Sequence, residues 1–134
     1  MSDPKIETVQ KIYAAFGRGD VPAILAELAD DVDWAAESAV AKAPWYGPHD
    51  GKTAVPRFFQ GISEALEMTE FTPLSYAAND TDVFVTIRSG IRVRATGKAA
   101  TSELHHWWRF EGDKIAFYRG LDDSELTASA FVVD

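Results

Sequence analysis

The chain has 134 residues, no cysteine, a formal net charge of −8 and 12% aromatic residues. That length suits a single domain over 1–134 with its own core. The absent cysteines exclude a disulfide framework, thiolate metal sites and a cysteine nucleophile, and the acidic balance argues against nucleic acid as a partner. No apolar run approaches membrane-spanning length, and Met1-Ser-Asp-Pro-Lys5 lacks the basic-then-apolar pattern of a signal peptide. A cytoplasmic protein without membrane contact is the expectation.

In chain order, Asp3 and Pro4 form a helix start, a capping side chain followed by proline at the first helical position. Ile6, Val9, Ile12, Tyr13 and Phe16 then recur every three or four residues as one apolar stripe. Gly17-Arg-Gly19 ends the helix. Asp20 caps a short second helix with Pro22 in its first turn and Ile24, Leu25 and Leu28 as its buried face. Val32–Ala36 reads as a short strand with Val32, Trp34 and Ala36 on one side. Residues 37–51 read as irregular, because two prolines and two glycines fall within 44–51. That loop nevertheless carries Trp45, Tyr46 and His49, and aromatics in a long loop cover something apolar.

The spacing of Val55, Phe58, Phe59, Ile62 and Leu66 predicts a third helix from Thr53 to about Met68. The period then changes to two. Strands are expected over 71–78, 83–95, through 101–110 and over 114–121, with a bulge at Gly90 and a capping box at Asp122 and Glu125. Three helices set apart from a run of antiparallel strands give an α+β class.

Within the fifth-strand segment, alternation puts Leu104, His106, Trp108 and Phe110 on one face and Glu103, His105, Trp107 and Arg109 on the other. His106 is therefore a lone imidazole on an apolar wall. It is either a hydrogen-bonded core histidine or a general acid or base, since imidazole titrates at about 6.5. Adjacent histidines on a strand point opposite ways, so His105 and His106 do not chelate one ion. No His-Glu-x-x-His spacing, glycine-rich phosphate loop or nucleophile triad is present. Neither a metal nor a cofactor is expected.

Five segments carry a family resemblance: Tyr13-Ala-Ala-Phe-Gly-Arg-Gly-Asp20, Leu28-Ala-Asp-Asp31, Gly51-Lys-Thr-Ala-Val55, Thr96-Gly-Lys98 and Trp108-Arg-Phe-Glu-Gly-Asp-Lys-Ile115. With them the chain resembles the nuclear transport factor 2-like superfamily, the SnoaL-like or ketosteroid-isomerase-like cone fold. That resemblance implies a curved mixed or antiparallel sheet wrapped around three helices, cystatin-like in class, with a cone-shaped pocket. It also implies a homodimer formed through the sheet.

It does not bring the chemistry of the better-known members. Their catalytic tyrosine, aspartate base and protonated aspartate fall on Ile12, Ala36 and His106. The carboxylates of the epoxide hydrolases fall on Gly90 and Gly120, although Arg88 stands at their arginine position. The candidate site is therefore His106 as the catalytic group, with Trp34, Trp45, Tyr46, Phe59, Arg88, Trp108 and Tyr118 around the ligand. The implied function is binding of a small hydrophobic or aromatic molecule, and as an enzyme this would be a cofactor-free isomerase, cyclase or dehydratase. The alternative is a non-catalytic ligand-binding or assembly module of the same fold.

Overall fold

The computed structural model describes residues 3–37, 45, 47–121 and 129–130. Helix α1 (Pro4–Arg18) starts where expected: the Asp3 carboxylate accepts a hydrogen bond from the Lys5 amide at 2.8 Å. It stops at Gly19, whose φ of 68° is open to glycine without strain. Its stripe buries Val9, Ile12 and Ala15. Helix α2 (Val21–Leu25) is capped by Asp20, whose carboxylate accepts from the Ala23 amide. Leu28 is buried but is not part of α2; it opens strand β1 (Leu28–Glu37), which is longer than its apolar alternation suggested.

The stretch read as irregular contains a two-residue strand, β2 (Gly47–Pro48), paired antiparallel with Ala35 and Ala36 of β1. Proline is tolerated because β2 is the edge strand of the sheet among the described residues. Helix α3 (Val55–Ala65) is shorter than its apolar spacing predicted. At Leu66 the backbone turns extended and enters β3 (Leu66–Ala78). The cause is cross-strand pairing: Leu66 and Met68 pair with Val93 and Ile91 of β4 (Asp82–Val93), and that ladder takes the backbone bonds a longer helix would have used. Strands β5 (Ala99–Glu111) and β6 (Lys114–Leu121) complete the set. Asp122, Glu125 and Tyr46 lie outside the described residues.

The six strands form one sheet in the order β2-β1-β6-β5-β4-β3, with β1 and β6 parallel and every other pair antiparallel. This is the mixed, curved α+β sheet of the cone fold. One face of the sheet meets the helices. Val83, Val85, Ile87, Ser89, Ile91 and Val93 of β4 are all buried there, whereas Phe84, Arg88 and Arg92 are exposed on the other side. The bulge expected at Gly90 is displaced: the register irregularities lie in β3, between Met68 and Glu70 and between Pro73 and Ser75. Strand β4 therefore alternates without reversal. Gly90 has its own reason, since a Cβ there would meet the Thr69 hydroxyl at 2.6 Å.

Candidate functional site on two rungs of the sheet

Two neighbouring rows of residues across the sheet build the site. In the first, Trp34, Tyr118 and Trp108 stand abreast on β1, β6 and β5. Their rings pack at centroid distances of 4.2 Å for Trp34–Tyr118 and 4.5 Å for Tyr118–Trp108. The second row is Ala36, Gly120, His106 and Val85. Small residues at 36 and 120 leave space above the sheet, and the Tyr118 ring leans into it. Its hydroxyl lies over Gly120 so closely that a Cβ at 120 would collide with it. Ala36 and Gly120 bring no side chain longer than a methyl group to this row, and His106 is its one polar side chain.

The resulting cavity has a volume of about 110 Å³. Helices α1 and α3 close it with Ile12, Tyr13, Phe16, Phe58, Phe59 and Ile62, and Trp45 covers one side. Of the residues expected around a ligand, Trp34, Trp45, Phe59, Trp108 and Tyr118 line this cavity together with His106. Arg88 does not. It sits on the exposed face of β4, opposite Glu103 of β5, because the uninterrupted alternation turns it away. A ligand-contacting role for Arg88 in this cavity is therefore corrected. No Asp, Glu, Lys or Arg lines the cavity among the described residues. Nor is any group of three His, Asp or Glu placed to hold a metal ion among them.

Sequence reasoning passed over Tyr13, which it left one residue off the family's tyrosine. The phenol nevertheless reaches the site: Tyr13 Oη lies 2.8 Å from His106 Nδ1, and Trp108 Nε1–H donates to the same oxygen at 3.2 Å. The signal was present in the stripe of α1. A tyrosine on a buried helix face brings a hydroxyl that needs a partner across the core. Ile12, at the family's position, also lines the cavity.

Burial, helped by the charge of neighbouring His105, pushes the His106 imidazole from 6.5 down to about 3. It is thus neutral at physiological pH. Burial likewise raises the Tyr13 phenol above its usual 10.0, so that it stays protonated. The result is a pair of neutral groups able to exchange hydrogen-bond roles. If Nδ1–H donates to Tyr13, Nε2 keeps its lone pair; if Tyr13 donates to Nδ1, Nε2 carries the proton. Among the described residues one further polar atom is left over, as Trp34 Nε1 is buried and has no hydrogen-bond partner there.

The SnoaL-like domain family matches residues 9–118, most of the chain and every residue of the two rows except Gly120. The chain belongs to this family. Solved structures agree with the assignment. A nuclear transport factor 2-like protein of unknown function from Burkholderia pseudomallei superposes with a TM-score of 0.90 at 24% identity, covering 98% of this chain and 100% of its own. TerC, co-crystallised with polyporic acid, gives 0.85 at 22% identity over 96% of this chain and 98% of its own. A protein from Xanthomonas campestris named as a polyketide cyclase gives 0.76 at 19%, over 95% and 96%. At these identities the likeness is one of fold. No curated protein matches the sequence. The SnoaL-like assignment leaves the chemistry to the residues of the cavity, since this fold carries several activities.

Proposed function

We propose that this SnoaL-like protein binds a small, neutral aromatic molecule in the cavity and moves a proton on it without a cofactor, with His106 as the acid/base group. The observation that carries the reading is the 2.8 Å contact between Tyr13 Oη and His106 Nδ1 inside an aromatic, uncharged cavity. An aromatic wall favours an aromatic guest. The absence of lining cations and anions among the described residues disfavours a charged one, because burying an unpaired charge is costly. The co-crystallisation of TerC with polyporic acid and the polyketide cyclase name of a structural neighbour are consistent with aromatic guests in this fold.

In the proton step, Nδ1–H donates to Tyr13 and Nε2 takes a proton from a carbon beside a substrate carbonyl. The electron pair of the broken C–H bond passes to the carbonyl oxygen as an enolate. The imidazolium is then returned to neutrality by giving the proton back, at the same carbon or a conjugated one. An imidazole held this far below 6.5 is a weak base in the empty cavity. The enolate formed beside it supplies the counter-charge that makes protonation affordable.

The second reading, a binding module without chemistry, is favoured by one observation: no carboxylate lines the cavity among the described residues. The two readings separate with 2-tetralone, a neutral aromatic ketone, in D₂O at pH 7. The enzyme reading expects deuterium to enter the carbon beside the carbonyl faster than in buffer, and His106→Ala to remove that excess. Binding of 2-tetralone with exchange at the buffer rate would leave the module reading. The outer face of the sheet, where Phe84 is 43% exposed and stacks on Trp107, is the proposed surface for pairing with a second copy.

A further inference from the structure

The buried face of β4 is a run of β-branched residues, Val83, Val85, Ile87, Ile91 and Val93, broken once by Ser89. Ser89 is 4% exposed and lines the cavity. Its partner across the β4–β5 ladder is Ser102, which also lines the cavity. Neither hydroxyl has a hydrogen-bond partner among the described residues. Valine or isoleucine would suit such a run better, so packing gives no reason for a hydroxyl at position 89. Ser89, buried, and Ser102, half-buried, face each other across one rung inside the cavity and have the form of a subsite waiting for a polar atom of a ligand.

The placement adds a length. Ser102, Leu104 and His106 follow one another on the cavity side of β5, with Ile87 beside Leu104. Four residue steps along β5 separate the serine rung from the histidine rung, roughly 13 Å between Cα atoms at about 3.3 Å per step. Both polar side chains reach into the space between, over an apolar middle formed by Leu104. We infer that Ser89 and Ser102 form a second polar subsite, so that the preferred ligand is an elongated aromatic molecule carrying a neutral hydroxyl or carbonyl at each end. This rests on the proposed aromatic-binding role of the cavity and narrows it: one end meets His106 and Tyr13, the other meets the two serines.

The test compares naphthalene-2,6-diol with 2-naphthol, which share a ring system and differ by one terminal hydroxyl. Calorimetric titration at pH 7 is expected to show the diol binding about five- to tenfold more tightly, the gain of a newly satisfied buried hydrogen bond. The double variant Ser89→Ala, Ser102→Ala is expected to erase that preference while binding 2-naphthol as before. Should the double variant not fold, Ser102→Ala alone, at the half-buried partner, must reduce the preference by half or more. Equal affinities in the unaltered protein, or a preference that survives loss of the serines, would overturn the subsite while leaving the aromatic pocket intact. If neither compound binds, the aromatic pocket itself fails and the subsite with it.

Discussion

Tyr13 holds together what would otherwise be two unsatisfied side chains. Its oxygen accepts the Trp108 indole N–H and pairs with His106 Nδ1, so removing it leaves a buried indole donor and a half-buried imidazole nitrogen without these partners. Tyr13→Phe keeps the ring and deletes only the oxygen. It is expected to lower stability by about 1–3 kcal/mol, read as a reduced urea midpoint with unchanged slope. An unchanged midpoint would mean that the three side chains are not joined in solution. His106 itself was legible in the sequence because alternation on β5 isolates it among Leu104, Trp108 and Phe110. Tyr13 was not, because its importance depends on where α1 crosses the sheet. Contacts separated by 93 and 95 residues leave no mark on local periodicity.

At the scale of elements, the rows of residues across neighbouring strands matter more than any one strand. The aromatic row Trp34–Tyr118–Trp108 is solid, and the row Ala36–Gly120–His106 beside it is hollow. Gly120→Ala should be costly although it adds one methyl group. The Tyr118 hydroxyl occupies the place of the new Cβ, so the ring must swing away and disturb its stacking on Trp34 and Trp108. A loss of about 1–3 kcal/mol is expected in thermal or urea unfolding. A variant as stable as the parent would show that Tyr118 does not lean over the strand. The strands of the second half were readable from alternation and turn residues, as were both capped helices at the N-terminus. The end of α3 was not, because apolar spacing continues through Leu66 while pairing with β4 draws the chain into a strand. The side on which Arg88 stands was also hidden. A glycine within a strand suggested a reversal, and only the register shows that the irregularity belongs to the partner strand β3.

For the whole molecule, the neutral state of His106 has a consequence for acid stability. Its folded value, about 3, lies below the unfolded 6.5. As pH falls through that window the unfolded chain takes up a proton that the folded chain refuses, so stability declines toward acid by up to about 1.4 kcal/mol per pH unit. Asp33, held below 3.8 by Arg119, contributes stability that is lost only at lower pH. Asp82 behaves likewise: burial works against its ionised form, but bonds from Thr81, Trp107 and Arg109 outweigh it and keep the carboxyl below 3.8. The range from pH 6.5 to 4.5 therefore isolates the histidine. His106→Gln is expected to flatten the decline in melting temperature there, and parallel curves for the two proteins would refute the buried neutral imidazole. Trp34 offers a way to watch the same cavity from inside. Its indole N–H meets no acceptor and its ring packs against Tyr118 and Trp108 rather than water. Such an indole emits at short wavelength. A polar guest seated against the cavity side of that ring would move the emission to the red, so that occupancy of the cavity can be followed by intrinsic fluorescence without a label.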